Sequence, residues 1–371
     1  MRILLLSCNT GGGHNSAAAA IRTHFSERGI ECDIHDALRF VSKAHTEILS
    51  KGHFFMYRHF PKLFGIGYHF EEKHPPRFLY KQMALGAKKF TAFLNENAYD
   101  AIICTHIFGN MLVTEARRKY GVTTPHYVMT TDYAMHPGTD MVDAARFFVA
   151  AEPVRHALIE AGIPADRVVT SGIPVSPDFL KTEDKLEMRR RLGLPEDGKM
   201  VLLFSGSIGC GKLNRIAPEL ARRLPIDCTL AVLCGHNKRM YNLLQGHTNP
   251  RLTVVGYTTR VAEYMAAADL CITKPGGLST TEMLAIGLPM VLMLSVPGCE
   301  TRNLNFFKNL GVAVGTDDWN EAIELTVKLV EDDERLAQMR ARLQAAGYPG
   351  GASVIADTVL ADIAAKENAN D

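Results

Sequence analysis

Residues 269–311 read DLCITKPGGLSTTEMLAIGLPMVLMLSVPGCETRNLNFFKNLG, and few folds accommodate that order of signals. An apolar run at 270–273 ends in the turn Lys274-Pro275-Gly276-Gly277, and a helix-like segment follows from Ser279. A second apolar run at 289–294 ends in Pro297-Gly298-Cys299-Glu300. Strand, glycine loop, helix, strand, loop, helix is the sequence of a parallel α/β sheet. In such sheets ligands sit at the carboxyl ends of strands, and backbone N–H groups that open a helix favour an anion there. The expected ligand is phosphorylated. Ser279-x-x-Glu282 also fits a helix capping box, a purely structural use for Glu282.

The pattern recurs through the chain. Residues 2–7 (RILLLS) predict a buried strand, 8–15 a glycine loop carrying His14, and 16–25 an alanine-rich helix. Residues 84–97 predict a helix and 101–108 (AIICTHIF) a buried strand with His106 near its end. Residues 126–138 predict a strand leading into a loop where Asp132 and His136 lie four apart, and 146–179 a strand, helix and strand followed by a Pro/Gly-punctuated connector. A second series starts with a strand at 199–205 and the loop 206–212; two strand–helix units follow at 229–240 and 252–269. Gly206-x4-Gly211-Lys212 nearly spells a P-loop, but Leu213 stands where Ser or Thr would hold magnesium, which argues against a nucleoside-triphosphatase. Residues 318–347 predict two helices and 352–362 a last one.

A length of 371 residues suggests two domains, with the boundary near Gly172. The net charge of +1 argues against nucleic acid as a general partner. Eight cysteines include no C-x-x-C pair and several lie in apolar runs, so they read as buried reduced thiols of a cytosolic protein. No apolar run reaches the ~18 residues of a membrane span. Residues 51–81, however, hold nine of the 29 aromatic residues, with six Lys or Arg against two acids. Aromatic bodies with basic heads suit the lipid headgroup boundary, and the cations add attraction to anionic lipid. Phe54, Phe55 and Phe60 are therefore candidate membrane-docking residues; the alternative is that the aromatics fill the amino-terminal core.

KPGGLSTTEMLAIGLP followed by PGCETRN resembles the donor-binding half of family 28 glycosyltransferases, in the branch of monogalactosyldiacylglycerol synthases and processive diacylglycerol glucosyltransferases. SCNTGGGHNSAAAAI resembles that branch's first glycine loop. The resemblance implies a GT-B fold, two Rossmann-like α/β domains facing across a cleft. Residues 1–172 would be the acceptor and membrane-facing domain, 173–347 the UDP-sugar domain, and 348–371 would include a helix packing back on the first. It implies that His14 is the general base, with Asp132 either orienting it or taking the proton itself, while the alternative for His14 is to cap its loop and for Asp132 a turn. Gly12, Tyr133 and His136 would meet the acceptor.

On the donor side the resemblance assigns Gly13, Gly206, Ser207, Gly209, Gly211 and Lys212 to the diphosphate and sugar. Tyr257 and Val261, just after Gly256, would bracket the uracil. Lys274, Pro275, Gly276, Gly277, Ser279 and Thr280 would form the diphosphate loop, Glu282 would take the ribose hydroxyls, and Gly298 and Glu300 the hexose, with Asn303 stiffening that loop. Cys299 replaces a glutamine common in the family. No D-x-D triplet occurs, and the expectation is a metal-independent, cofactor-free, inverting transfer of glucose or galactose from UDP-glucose or UDP-galactose to diacylglycerol, by a peripheral protein on the cytoplasmic face of the cell membrane. Rival readings are an N-acetylglucosamine transferase acting on a polyprenyl-linked precursor, a UDP-N-acetylglucosamine 2-epimerase, and a nucleotide-sugar binding protein without turnover.

Overall fold

The computed structural model describes residues 1–9, 12–41, 65–67, 70, 74, 76–181, 184–206, 213–294 and 298–368. Phe54, Phe55, Phe60, Ser207, Gly209, Gly211 and Lys212 lie outside them. The chain forms two units, one of Met1–Ser176, Val296–Cys299 and Pro349–Asp371, the other of Pro177–Ser295 and Glu300–Tyr348.

The first unit is built on a parallel sheet of six strands: β1 (Arg2–Ser7), β2 (Glu31–Asp36), β3 (Ala101–Cys104), β4 (His126–Met129), β5 (Arg146–Val149) and β6 (Val168–Thr170), in the order β2-β1-β3-β4-β5-β6. Ile3 to Leu6 are fully buried because both faces of the sheet are covered by helices, which is why RILLLS is apolar throughout rather than alternating. Its first helices are α1 (Gly12–Glu27), α2 (Arg77–Ala84), α3 (Ala87–Asn97), α4 (Ile107–Tyr120) and α5 (Glu152–Glu160). The second unit repeats the design with β7 (Met200–Phe204), β8 (Thr229–Leu233), β9 (Leu252–Val255), β10 (Leu270–Thr273), β11 (Met290–Met293) and β12 (Ala313–Thr316), in the order β12-β11-β10-β7-β8-β9. Its helices are α6 (Lys185–Leu192), α7 (Leu213–Arg223), α8 (Lys238–Gln245), α9 (Val261–Ala267), α10 (Gly277–Ile286), α11 (Cys299–Asn309), α12 (Trp319–Glu331) and α13 (Asp333–Ala346). The final helix, α14 (Ala352–Asn368), packs on α1 in the first unit, where the Arg28–Asp357 pair at 2.6 Å and a two-pronged Arg146–Asp362 pair at 2.7 and 2.9 Å fasten it.

Several boundaries differ from the sequence expectation. Helix α1 starts at Gly12 rather than Ser16, so His14 sits in its first turn and not in a loop. The expected helix at 84–97 is α3, which starts at Ala87; α2 precedes it at 77–84, with Gly86 between them pressed against Phe40, whose backbone a Cβ there would approach to 3.1 Å. The expected strand at 101–108 ends at Cys104, because His106 takes an extended conformation and its Nδ1 accepts the Phe108 N–H, capping α4. The capping box at Ser279 does not form: α10 begins two residues earlier with Gly276 as its extended N-cap. Strand β2 was not anticipated, since ECDIHD lacks an apolar run; it is an edge strand, half-buried and paired only to β1. Among the described residues, seven cysteines are free thiols and no helix is long and apolar enough to cross a membrane.

Candidate active site

In an open parallel sheet the ligand crevice lies where strand order reverses, between the carboxyl ends of two neighbouring strands whose connections run in opposite directions. In the first unit that point is between β1 and β3, because β1 leads to β2 on one side while β3 lies on the other. In the second unit it is between β7 and β10. The chemistry-bearing residues cluster at these two places.

At the β1/β3 point, α1 and α4 both begin, and His14 comes from the first turn of α1 while Thr105 and His106 come from the connection between β3 and α4. A polar chain fixes the loop after β1: Ser7 Oγ donates to Asn15 Oδ1 at 2.5 Å, Asn15 Nδ2 to Asn9 Oδ1 at 2.7 Å and Asn9 Nδ2 to Asp36 at 2.8 Å. His14 Nδ1 lies 2.8 Å from the Thr105 carbonyl, which can only accept, so Nδ1 carries the proton and Nε2 carries the lone pair. Thr131 Oγ1 lies 2.9 Å from the same nitrogen, and the Thr105 hydroxyl donates to the His14 carbonyl. Burial pushes the His14 imidazole below its ordinary pKa, against the pull of the Thr105 carbonyl, so the ring is neutral at pH 7.

His106 stands edge-on to His14, with ring centroids 4.4 Å apart and planes at 75°. Its Nδ1 is occupied by the cap of α4, which leaves a proton on Nε2 in the neutral ring. His136 is held by its Nδ1 contact to the Pro137 carbonyl at 2.9 Å, by Thr139 Oγ1 donating to its own carbonyl, and by the Tyr80 hydroxyl donating to Gly138 O. Burial lowers its pKa as well, reinforced by His14 and opposed by the Pro137 carbonyl and the Asp132 charge. Asp132 therefore lies within electrostatic reach of His136, and His14, His106, Asp132 and His136 form one cluster. Gly12 and Gly13 open α1 beside it. Tyr133 is buried at 6% exposure and lies with the core.

At the β7/β10 point the side chain of Lys274 runs between two glycines. A Cβ on Gly206, which has φ +67°, would be 3.7 Å from Lys274 Cε, and one on Gly276 would be 3.8 Å from Nζ. Nζ donates to Glu300 Oε1 at 2.7 Å, and Glu300 is 4% exposed in the first turn of α11. The fully buried Asn303, one turn along, donates from Nδ2 to the Pro275 carbonyl at 3.0 Å and so ties α11 to the glycine loop. Thr280 Oγ1 donates to the Gly276 and Gly277 carbonyls, at 2.9 and 3.0 Å, closing the first turn of α10. The backbone N–H groups of that turn remain the natural seat for an anion.

Glu282 projects from α10 one turn past Leu278, half-buried, and burial pushes its carboxyl up to about 8. Tyr257 is 61% exposed after β9 and stacks on His236 at 4.1 Å, while Val261 opens α9 and Gly298 precedes α11 with φ +120°. Ser279 is the third residue of α10 and half-buried. Among the described residues no cluster of three or more His, Cys, Asp or Glu could hold a metal ion. His106 and Thr105 are the residues that sequence reasoning left out of the site; they follow β3, and only its pairing with β1 brings them to His14.

A family model of monogalactosyldiacylglycerol (MGDG) synthase matches residues 14–175, and one of the glycosyltransferase family 28 C-terminal domain matches 200–347. The chain is 29% identical, over 99% of its own length and 95% of the relative's, to a processive diacylglycerol beta-glucosyltransferase from Bacillus cytotoxicus. It is 28% identical, with the same coverage, to one from Bacillus mycoides. Among solved structures it resembles MurG of Acinetobacter baumannii, with a TM-score of 0.62 at 15% identity over 97% of this chain and 99% of that one. A UDP-GlcNAc 2-epimerase from Neisseria meningitidis bound to UDP-GlcNAc gives a TM-score of 0.61 at 15% identity, over 97% of this chain and 100% of that one. At these identities the structural likeness establishes the GT-B fold.

Proposed function

We propose, for a chain that belongs to glycosyltransferase family 28 and carries an amino-terminal domain of the monogalactosyldiacylglycerol synthase kind, that it moves a hexose from a UDP-sugar to the free hydroxyl of 1,2-diacylglycerol. The observation that carries the reading is His14, a half-buried neutral imidazole whose tautomer is set by Thr105 and whose Nε2 lone pair lies at the switch point of the first sheet. The full-length likeness to named diacylglycerol glucosyltransferases supports the acceptor and favours glucose as the hexose.

In this mechanism the acceptor hydroxyl loses its proton to His14 Nε2 as its oxygen attacks the anomeric carbon, and the bond from that carbon to the diphosphate oxygen breaks. Attack on the face opposite the leaving group inverts the configuration. The Thr105 carbonyl orients the ring, His106 stands edge-on to it, and Asp132 and His136 flank the acceptor. On the donor, Lys274 and the amino end of α10 stabilise the departing diphosphate, Gly206 allows its close approach, Glu300 accepts the hexose hydroxyls and Glu282 the ribose hydroxyls. The positive charge comes from side chain and backbone, so a chelator is expected to leave the rate unchanged. Release of UDP tests the reading: it should require diacylglycerol, and equal release without any acceptor would contradict it.

Glu282 gives a pH test of the donor site. A carboxyl at about 8 is mostly protonated at pH 7, and the ribose hydroxyls donate best to its ionised form. UDP affinity should therefore rise as pH climbs from 7 to 8.5, by up to about tenfold, with release of a proton on binding. Calorimetry in buffers of different ionisation heat reads both, and Glu282→Gln should flatten the dependence. A UDP affinity that falls or stays level over this range in the unaltered protein would remove Glu282 from the ribose.

The outer faces of α2 and α3 support a membrane-associated role. Phe78 and Leu85 are 68% and 61% exposed there, beside exposed Arg77, Lys81, Lys88 and Lys89, and no acidic residue occurs between 76 and 95. Two apolar side chains ringed by cations match the boundary of an anionic bilayer. We expect Phe78→Ser with Leu85→Ser to weaken flotation with vesicles containing anionic lipid by about tenfold, the transfer of two large apolar groups being lost. Unchanged flotation would place the docking face elsewhere.

A further inference from the structure

On the far side of the second unit from the glycine loop, a groove of about 280 Å³ is lined by Lys185, Arg340 and Gln344 over an apolar floor that includes Met265, Ile286 and Leu288. Beneath it lies Asp269, at the amino end of β10. Lys185 Nζ donates to its Oδ1, Arg340 Nη2 reaches Oδ1 at 3.2 Å and the Asp269 carbonyl at 3.1 Å, and Arg189 Nη2 donates to Oδ2 at 2.8 Å. The Met200 N–H donates to Oδ2 as well, at 2.9 Å. One carboxylate thus holds three cations.

Burial acts to raise the Asp269 carboxyl, but the hydrogen bonds from Lys185 and Met200 and the charges of Lys185 and Arg189 outweigh it and hold it below the usual carboxylate range. It is ionised, and the cluster keeps a surplus of two positive charges. Arg189 belongs to the structure alone: it is 2% exposed and its other N–H groups go to the Ala267, Glu196 and Gly198 carbonyls. Lys185 and Arg340 differ, because each is about a third exposed and both line the groove. Among the described residues, no acidic residue lines it. Lys185 and Arg340 meet on one wall above the apolar floor, and the single charge of Asp269 only partly offsets theirs, so the wall attracts an anion.

We propose that this groove binds a phosphate monoester bearing a short hydrocarbon group, its phosphate between Lys185 and Arg340 and its apolar part on Met265, Ile286 and Leu288. A phosphate anion complements the surplus positive charge of the cluster, and the floor gives the hydrocarbon a dry surface that inorganic phosphate leaves uncovered. An occupant touches the carboxyl end of α10 at Ile286 and lies over the start of β10 at Asp269, the two elements whose opposite ends carry the glycine loop. This site is independent of the reaction assigned above.

The test is calorimetric titration of hexyl phosphate into the full-length protein held saturated with UDP, so that the nucleotide site is closed to the probe. Saturable binding of one equivalent is expected, with hexanol and inorganic phosphate each at least about tenfold weaker. Lys185→Gln with Arg340→Gln should weaken hexyl phosphate by at least about tenfold. Gln344→Glu, at an exposed position that leaves the Asp269 cluster intact, should do the same by placing a negative charge on the rim. Absence of saturable binding, or equal affinity in Gln344→Glu and the unaltered protein, overturns the proposal.

Discussion

Replacing His14 by alanine is expected to lower the rate of glycosyl transfer by about 10²–10⁴-fold, the usual contribution of a positioned general base. UDP binding should be retained, because all the residues assigned to the nucleotide except Gly13 belong to the second unit. The argument rests on the ring's surroundings. Nδ1 is committed to the Thr105 carbonyl, so Nε2 is the basic nitrogen, and burial keeps the imidazole neutral below its ordinary range. The sign of the pH dependence follows: a base with a lowered pKa stays competent as pH falls, so the acid limb of kcat/KM should lie below about 6.5. His106→Asn keeps a side chain able to cap α4 but removes the ring that walls off His14. Greater access of water should then move the acid limb upward, while Asn preserves the helix. A His14→Ala variant that transfers at the normal rate would remove the base from the mechanism.

Glu300→Ala should cost the donor sugar rather than the nucleotide. Glu300 is buried, accepts from Lys274 and begins the helix that Asn303 ties to Pro275, so its carboxylate is aimed by contacts on both sides. We expect kcat/KM for the UDP-hexose to fall by about 10²–10³-fold, as when one preorganised polar contact is removed from a transition state. Affinity for UDP, which has no hexose, should change by less than about threefold. Equal losses for UDP and UDP-hexose would mean that Glu300 acts by holding Lys274 in place. Normal turnover would remove it from the site.

Why these two residues were legible in the sequence, and others were not, has a physical basis. An apolar run that stops at glycines and restarts as a helix can hardly be other than a buried parallel strand and its turn, so the strand-to-helix turns bearing His14 and Lys274 were recognisable from local pattern alone. Strand order is not local. Nothing in residues 101–108 says that β3 lies beside β1, and only that pairing brings Thr105 and His106 against His14, ninety positions earlier in the chain. The capping-box reading of Ser279 failed for a related reason. Gly276 takes an extended conformation without side-chain help, Thr280 returns its hydroxyl to the Gly276 and Gly277 carbonyls, and the helix starts before the sequence signal. Glu282 is thereby released from a capping role. Edge strand β2 was invisible because one neighbour and half-burial do not demand an apolar run.

The most direct measurement is mass spectrometry of the lipids formed when the protein meets diacylglycerol vesicles with UDP-glucose, UDP-galactose or UDP-N-acetylglucosamine in parallel. The account predicts diacylglycerol heavier by one hexose from UDP-glucose or UDP-galactose, and its disappearance in His14→Ala. No glycosylated diacylglycerol from either hexose donor, in protein that binds UDP, would contradict diacylglycerol as the acceptor and leave only the fold and the nucleotide site standing.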